Sequence, residues 1–287
     1  MKPPPFAYFD PRDLDEVLER LAALGDDGKI LAGGQSLMPM LNLRLARPSA
    51  LVDINRLRHL ETLSVEDGTL RVGALVRQRA LERWAIARQP LMAAALRLVG
   101  HSAIRNRGTV AGSIAHADPA AELPALLLCL DGAVIARSRA GERTIAAGDF
   151  FQGPLTTSLR TDELVTETRW RLPGPGEGWG FHEIARRHGD FALVGAAAIL
   201  DVRDGHIASA RVALFGAGTA AVRARAVEQA LRGRAPSAAL VGEAARAAAD
   251  GLDAQSDLHA SAAYRRRVAQ TLTARALSDA LARAAAA

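Results

Sequence analysis

Cysteine is almost absent from this chain: its 287 residues include a single one, Cys129. One thiol cannot form an internal disulfide, and it cannot supply the four ligands of an iron–sulfur cluster. Cys129 lies within the apolar run 126–130, so we expect a buried structural thiol and not a reactive one. The chain by itself therefore cannot carry such a cluster.

Long hydrophobic runs are also missing. The longest apolar stretches fall well short of the length that a transmembrane helix needs, so we expect no membrane span. The first residues, Met1-Lys2-Pro3-Pro4-Pro5, contain no apolar signal segment, and we expect a cytoplasmic protein.

Charge is present but not concentrated. The formal net charge is +5, yet the arginines are spread along the chain, and the densest group is Arg265-Arg266-Arg267. Nucleic-acid binding requires a concentrated basic stripe, so we expect no nucleic-acid partner. Hydrophobic residues make up 49% and charged residues 23%, which is typical of a folded protein, and the length suggests two or three modules.

Hydrophobic periodicity predicts alternating helices and strands. Pro11 can begin the first helix. Two helical stretches between residues 77 and 99 are separated near Pro90, and the Gly/Pro-rich segment 172–178 is predicted to be a linker. The small-residue run from Ile104 to Pro119 is predicted to be a structured loop. Helices are predicted at 11–24, 35–41, 77–99, 123–130, 222–231, 237–249 and 260–283, and strands at 29–32, 50–54, 70–74, 133–136, 164–170, 192–201 and 208–215.

The first motif with chemical content is Ala32-Gly33-Gly34-Gln35-Ser36, which follows a predicted buried strand. Consecutive glycines allow the backbone to approach a ligand, and their N–H groups can converge on an anion such as a pyrophosphate. From these five residues alone, an ordinary strand–turn–helix corner is the better interpretation.

The second motif runs from Ile104 to Pro119 and mixes small residues with hydroxyls and an amide. It has neither the glycine spacing of a Rossmann turn nor the Lys-Ser/Thr ending of a P-loop, and the first motif lacks both as well. Two such loops would suit a large ligand held from two sides. His116 and Asp118 could suggest a metal or a catalytic pair, but no further ligands cluster nearby, so loop hydrogen bonding is the better interpretation.

The order of these motifs resembles the FAD-binding medium subunits of the xanthine dehydrogenase and carbon monoxide dehydrogenase family of molybdenum hydroxylases. Residues 29–39 resemble that family's first flavin loop, and residues 104–124 resemble its second. The resemblance continues through residues 149–154 and 186–192 and ends at Tyr264-Arg265-Arg266, so that it covers nearly the whole chain.

The resemblance implies a set of FAD-binding positions. The backbone of residues 32–36 would hold the pyrophosphate, Thr109, Gly112 and Ser113 would form its opposite wall, Glu122 would bond the FAD, and Asp190-Phe191 would lie near the isoalloxazine ring. The full implied set is Lys29, Ile30, Leu31, Ala32, Gly33, Gly34, Gln35, Ser36, Leu37, Val99, Gly100, Ile104, Gly108, Thr109, Gly112, Ser113, Ala115, Glu122, Leu164, Asp190 and Phe191. It implies no catalytic acid, base or nucleophile in this chain and no metal site.

Two positions depart from the family pattern. Ala111-Gly112 stands where the family often has Gly-Gly, and a methyl group there is tolerable if Ala111 keeps a negative φ. Phe191 stands where the family often has tyrosine, so an aromatic ring is kept but any role of a phenol hydroxyl is lost.

The fold implied by the resemblance is α+β. A two-part FAD-binding domain of the vanillyl-alcohol oxidase-like (PCMH) type would span residues 1–174, divided into an α/β subdomain at 1–57 and an α+β subdomain at 58–174. A small α+β domain with a three-stranded antiparallel sheet would follow at 175–287.

The function implied is electron transfer through non-covalent FAD. Molybdopterin and 2Fe-2S clusters are expected only on partner subunits, a large and a small one, in a dimer of heterotrimers, with NAD or oxygen as examples of the acceptor. Two alternatives stay open: a non-catalytic flavin- or nucleotide-binding module, and a free-standing FAD oxidase of the vanillyl-alcohol type.

Overall fold

A small parallel sheet opens the fold. The computed structural model describes residues 2–285, and its first sheet has the strand order β1-β3-β2. The elements are β1 (Ala7–Phe9), α1 (Leu14–Leu24), β2 (Gly28–Leu31), α2 (Leu37–Asn42) and β3 (Ala50–Asp53). Because β2 and β3 are parallel, their carboxyl ends share one edge of the sheet, where ligands bind in open α/β sheets.

Helix α1 begins later than its proline suggested. The carboxylate of Asp13 accepts the backbone N–H of Glu16 at 2.9 Å, so Asp13 is the N-cap and Pro11 lies outside the helix. Val17, Leu18 and Leu21 form its buried stripe. The predicted helix over 11–24 was therefore correct in its body and in its end.

The middle of the chain forms a five-stranded antiparallel sheet in the order β4-β5-β10-β6-β7, together with a two-stranded sheet of β8 and β9. Its strands are β4 (Leu63–Glu66), β5 (Thr69–Gly73), β6 (Ala133–Ser138), β7 (Gly141–Ala146), β8 (Phe151–Gly153), β9 (Thr156–Thr157) and β10 (Leu164–Arg171). Its helices are α3 (Gln78–Ala85), α4 (Pro90–Leu96), α5 (Ser102–Arg107), α6 (Val110–His116), α7 (Glu122–Cys129) and α8 (Ala147–Phe150).

The prediction of a loop between Ile104 and Pro119 was wrong, because α5 and α6 occupy most of it. Both helices are too short to be stable alone, and short helices of this kind depend on tertiary packing. Thr109 caps α6 by accepting the N–H of Gly112 at 3.1 Å, and Val110, Ala111 and Ile114 are buried beneath it. The isolated apolar residues of this small-residue segment thus form the buried face of α6.

The C-terminal part contains a four-stranded antiparallel sheet in the order β11-β12-β13-β14. Its elements are β11 (Glu177–Ala185), β12 (Ala192–Arg203), β13 (His206–Phe215), β14 (Val222–Arg223), α9 (Arg225–Leu231), α10 (Ala238–Arg246) and α11 (Ala262–Ala284). The expected three strands are present, and the two-residue β14 adds a fourth. Residues 222–223, predicted as the start of a helix, form this edge strand because they pair with Ala213 and Leu214.

The linker is shorter than its composition suggested, because β11 already begins at Glu177. The carboxylate of Glu177 accepts two hydrogen bonds of 2.9 Å from Arg171 at the end of β10, and it also pairs with Arg211. A buried carboxylate needs such partners to offset its lost hydration. These arginines therefore anchor the start of β11 to β10 of the middle sheet and to β13 of its own sheet.

The middle and C-terminal parts share a buried contact. Helix α7 packs against β12 and β13, and the thiol of Cys129 lies 3.6 Å from the carbonyl oxygen of Arg211. Cys129 has no exposed surface, as the apolar run predicted. The boundary predicted near residue 174 stays a prediction. Within residues 2–285, no helix combines the length and hydrophobicity required to cross a bilayer.

Candidate functional site

The first glycine loop presents backbone donors that the protein does not use. It begins where β2 ends at Leu31 and leads directly into α2. Within the described part of the chain, the backbone N–H groups of residues 33–37 have no hydrogen-bond acceptor. Gly34 has φ +69°, a conformation that places successive N–H groups on one concave side. Buried or enclosed N–H groups require a partner, and an anion would satisfy this set.

The second loop is built from α5, α6 and the turn between them. Gly108 and Thr109 are buried, and Thr109 is 2% exposed. Gly112, Ser113 and Ala115 are only half-buried and lie on the side of α6 opposite its apolar face. One face of α6 therefore packs on the core, and the other face is accessible to a ligand.

The two loops are in direct contact. A Cβ atom on Gly33 would lie 2.7 Å from the carbonyl oxygen of Arg107 and from the Cα of Gly108, and 2.9 Å from the backbone nitrogen of Thr109. Such distances are too short for any side chain, so Gly33 is required by close approach. The structure thus brings the two predicted loops together, as the sequence suggested for a ligand held from two sides.

A buried acceptor without a partner lies beside this contact. Gln78, the first residue of α3, is 5% exposed, and its Oε1 has no hydrogen-bond partner within residues 2–285. This oxygen lies 2.8 Å from where a Cβ on Gly108 would be. Unsatisfied buried polar atoms are rare and indicate an absent donor.

An ion pair shapes the turn before α5. Arg105, buried at the centre of the second loop, pairs with the carboxylate of Glu82 at 3.0 Å and donates to the carbonyl oxygens of Val99 and Gly100, each at 3.0 Å. Gly100 has φ +48°, and Ile104 lies against it with 37% of its surface exposed. The arginine therefore holds the predicted positions 99, 100 and 104 in one compact turn.

The C-terminal segment with Asp190 and Phe191 lies beside the second loop. A Cβ on Gly189 would lie 2.5–2.9 Å from the ring of His101, the N-cap of α5, and the His101 and His188 rings are 6.1 Å apart. Phe191 is 65% exposed, which is unusual for a phenylalanine. The structure therefore places an exposed aromatic ring near the loops, although the two lie far apart in the sequence.

Two carboxylic acids lie below this region. Glu122, at the start of α7, is 6% exposed, and burial together with the nearby Glu183 raises its pKa to about 8. Burial also raises the pKa of Glu183 to about 7, and its Oε2 has no partner among the described residues. His116 is half-buried, and burial lowers its pKa, while Asp118 opposes that shift. Near neutral pH, Glu122 is therefore mainly protonated, and burial disfavours the charged forms of Glu183 and His116 as well.

The remaining predicted positions lie at the edges of the site. Lys29 is exposed, Ile30 and Leu31 are half-buried in β2, Gln35 and Ser36 are exposed, and Leu37 is half-buried. Leu164 is 3% exposed at the start of β10, a strand that contacts α6. Residues 2–285 contain no group of three or more His, Cys, Asp or Glu side chains placed to hold a metal ion.

Sequence reasoning missed Asn55, Arg77 and Gln78, which lie next to the loops. Asn55 follows the carboxyl end of β3, and the position of a polar residue after a parallel strand was a usable signal. Arg77 is the N-cap of α3 and Gln78 is its first residue, and neither belongs to a glycine or hydroxyl motif. No local signal in the sequence distinguishes them from other polar residues.

Comparison with known proteins agrees with this geometry. Residues 4–173 match the family described as the FAD binding domain in molybdopterin dehydrogenase, and residues 179–280 match the CO dehydrogenase flavoprotein C-terminal domain. Caffeine dehydrogenase subunit beta of Pseudomonas sp. (strain CBB1) is 41% identical over 98% of this chain and 96% of its own length.

Two further relatives extend the comparison. The nicotine 6-hydroxylase medium subunit of Paenarthrobacter nicotinovorans is 40% identical over 99% of this chain and 100% of its own length. Carbon monoxide dehydrogenase from Hydrogenophaga pseudoflava has a chain of similar structure, with TM-score 0.95, 37% identity and 99% coverage of both chains. These matches confirm the resemblance drawn from the two loops. The chain therefore belongs to the FAD-binding medium subunits of the molybdenum-containing xanthine and carbon monoxide dehydrogenase family, and it is an oxidoreductase subunit.

Proposed function

We propose that the two loops hold the FAD pyrophosphate between them. The observation that carries this proposal is the row of free N–H groups at residues 33–37, which faces a second loop in van der Waals contact at Gly33. A pyrophosphate supplies several anionic acceptors to such a row, whereas a neutral ligand would leave most of these donors unsatisfied. The residues present therefore fit a dinucleotide.

The other implied positions would line the rest of the cofactor. Residues 29–31 would lie on the adenosine side, and residues 99, 100, 104 and 108 would follow its length. Ser113 and Ala115 face the same space from α6, and Gln78 Oε1 offers an acceptor to a hydroxyl group. Attachment is proposed to be non-covalent, with neither His101, which packs against Gly189, nor the half-buried His116 linked to the flavin.

The redox end of the cofactor would lie near Asp190, Phe191 and Glu122. The exposed ring of Phe191 would shield one face of the isoalloxazine from water, and Glu122, buried and neutral, would offer it a hydrogen bond. FAD, when bound, would supply the redox chemistry, taking electrons from 2Fe-2S clusters on a partner and passing them to an acceptor such as NAD or oxygen. The chain's own residues bind, orient and enclose it.

The partners we propose are a molybdopterin-binding large subunit and a 2Fe-2S small subunit, assembled as a dimer of heterotrimers. The relatives support the existence of partner subunits, because their names describe a beta subunit, a medium subunit and a medium chain of a dehydrogenase or hydroxylase. The single cysteine supports it as well, since the clusters must lie outside this chain.

Calorimetric titration of the flavin-free chain with FAD and with FMN tests the binding proposal. FAD is expected to bind at least about tenfold more tightly, because FMN lacks the second phosphate and the adenosine that residues 29–36 would contact. Acid precipitation is expected to release the flavin into solution. Equal affinities for the two flavins would show that the loops are not a pyrophosphate site, and flavin retained on the precipitate would show covalent attachment.

A further inference from the structure

Two side chains outside both predicted motifs connect the two loops. Asn55 donates from Nδ2 to the carbonyl oxygen of Ala32 at 2.9 Å, in the first loop. Arg77 donates to Asn55 Oδ1 at 2.6 Å and to the carbonyl oxygen of Arg107 at 2.6 Å, in the second loop. We call this pair of residues the Asn55–Arg77 clip. It forms a continuous hydrogen-bonded path from one loop to the other.

Each half of the clip is fixed by its own backbone. Arg77 forms an antiparallel bridge with Thr109: the N–H of Gln78 donates to Gly108 at 2.9 Å, and the N–H of Val110 donates to Val76 at 3.0 Å. Asn55 is held by Asp53, whose Oδ1 accepts from the Asn55 backbone N–H at 2.8 Å and from Nδ2 at 2.6 Å. The backbone of Arg77 is therefore anchored to the second loop, and the side chain of Asn55 is anchored by Asp53.

The clip also orients the donors of the first loop. In a trans peptide the carbonyl oxygen and the following N–H point in opposite directions. Asn55 holds the carbonyl of Ala32 on its own side, so the N–H of Gly33 points away from the clip. That N–H is one of the donors without an acceptor in the described chain. A carbonyl turned towards the phosphates would instead repel them.

The charge of Arg77 is not neutralised locally. Its hydrogen bonds end on a carbonyl and an amide oxygen, and no carboxylate lies within 4.0 Å of it in the part of the chain that the structure describes. Burial and the nearby Arg107 lower its pKa, and Arg58 acts in the same direction, while Glu61 and Asp53 oppose them. A half-buried cation in this position is stabilised by an anion nearby.

We propose that Asn55 and Arg77 are positioning residues for a dinucleotide pyrophosphate. They link the two loops, turn the Ala32 carbonyl away from the phosphates, and leave one cation without a carboxylate partner behind the first loop, where its electric field attracts the bound diphosphate. This inference rests on the proposed FAD site, and it adds a cause of selectivity for the diphosphate that lies outside both glycine loops.

The test compares Arg77→Gln and Arg77→Lys in the full, flavin-free chain with Arg83→Gln. Arg83 lies on the same helix, α3, and is exposed, so this control removes the same charge without touching the loops. Affinities for FAD and for riboflavin are measured by fluorescence quenching at low and high salt, with circular dichroism to verify the fold. Riboflavin carries no phosphate, so it reports on the ring pocket alone.

Arg77→Gln is expected to weaken FAD binding by about tenfold or more, the usual scale for a lost charge-assisted interaction, and to change riboflavin affinity by less than about twofold. The salt dependence of FAD binding is expected to become shallower. Arg77→Lys should be intermediate, since it keeps the charge but cannot reach both acceptors. Arg83→Gln should behave as the unsubstituted chain.

Two results would overturn the proposal: FAD affinity of Arg77→Gln within about twofold of the unsubstituted chain, or equal losses for FAD and riboflavin, which would show a structural role only. Asn55→Ala gives a second measurement, expected to reduce FAD affinity while leaving riboflavin binding in place. If the unsubstituted chain and Arg83→Gln did not prefer FAD over riboflavin, the FAD site itself would be wrong, and that failure is separate from failure of the clip.

Discussion

Gly33 and Gly34 are neighbours in the sequence but are required for different physical reasons. Gly34 has φ +69°, a backbone conformation that residues other than glycine rarely adopt. Gly33 is required because the second loop packs directly against it. The first loop therefore depends on one glycine for its conformation and on the other for its contact.

Gly33→Val is expected to reduce FAD affinity by roughly a hundredfold, equivalent to about 2.8 kcal/mol, because the added side chain would force the two loops apart. Most of the fold should remain, since residues 32–36 of the first loop include no buried side chain. Flavin absorbance and circular dichroism measure the two effects. Gly153→Val, at a position with open space, is the matched control, and a variant at Gly33 that kept its flavin would show that the loop contact is not needed for binding.

Glu122 and Glu183 give the folded chain a predictable dependence on pH. Their pKa values are raised to about 8 and about 7, so between about pH 4.5 and 8 the folded chain keeps protons that the unfolded chain releases. The free energy of unfolding must therefore fall as pH rises through this window. Glu183, Asp118 and Arg105 are the charged groups that act on Glu122.

Glu122→Gln is expected to make that decrease shallower across about pH 5 to 8, because a carboxyl that keeps its proton only in the folded chain contributes up to about 1.4 kcal/mol per pH unit. Urea unfolding of the flavin-free chain at pH 5.5, 7 and 8.5 measures the slope. The exposed Glu19→Gln on α1 is the control. An unchanged slope in the Glu122 variant would mean that this carboxyl is already ionised in the folded chain at neutral pH.

Cys129 is expected to have only a structural role. Burial raises the pKa of its thiol to about 12, so it stays protonated and unreactive at neutral pH. Cys129→Ser should lower the free energy of unfolding by about 1 kcal/mol, because serine can still donate to the carbonyl of Arg211. Reduction of bound flavin by a partner complex should be unchanged, and loss of that reduction with flavin still bound would assign the thiol a redox role.

At the scale of elements, α11 lies on β11 because two glycines remove the side chains between them. A Cβ on Gly178 would overlap the carbonyl oxygen of Ala280, and one on Gly180 would overlap that of Ala276. Trp179 and Phe181 alternate with them and point to the other face of the sheet. The alternation of glycine and aromatic residues is thus the sequence signature of a strand covered by a helix at close range.

Gly180→Ala is expected to lower the free energy of unfolding by about 1–3 kcal/mol, the usual cost of overpacking a buried contact. Gly242→Ala is the control: Gly242 is exposed within α10 with open space around it, so alanine should raise stability by about 0.5–1 kcal/mol through its better helix propensity. Chemical denaturation of both variants measures the difference. If Gly180→Ala were as stable as the control, α11 would have to tolerate a larger separation from β11.

At the scale of the whole molecule, function depends on other chains. The isolated chain is expected to hydroxylate no N-heterocycle, aldehyde or carbon monoxide, because its single cysteine excludes its own iron–sulfur cluster and no segment suggests a molybdopterin site. Co-expression with a molybdopterin subunit and a 2Fe-2S subunit, followed by size exclusion, should give a stoichiometric complex. Turnover of such a substrate by the lone chain would refute its assignment as an electron-transfer subunit.

The surface for that complex is expected near Arg186 and Arg187, next to Phe191. Arg187 is 84% exposed and pairs with Asp190 at 3.1 Å, while Arg186 lies 3.3 Å from Nδ1 of His259. Exposed arginines of this kind steer association with an acidic partner and make it dependent on salt. The double variant Arg186→Gln/Arg187→Gln should weaken assembly at low salt, whereas Arg234→Gln, an exposed arginine paired with Glu243, should not.

The sequence was sufficient to predict the longer regular elements and the class of protein. Regular apolar periodicity located helices such as α1 and α7 and strands such as β2 and β10, because side chains of one element must share a face. The ordered set of motifs along the chain carried the resemblance to the family, which the comparisons confirm. The cysteine count alone excluded an iron–sulfur cluster, since that conclusion needs no geometry.

The arrangement of the site depends on tertiary packing. Residues far apart in the chain meet in the contact of Gly33 with Thr109, in the Asn55–Arg77 clip and in the pair Glu122 and Glu183. The helical state of α5 and α6 also depends on such contacts. Local propensity is weak for helices this short, and packing against distant elements decides their state. Asn55 and Arg77 can position the loops only because the fold brings the backbones of both loops within hydrogen-bond distance of their side chains. The local sequence does not indicate this proximity.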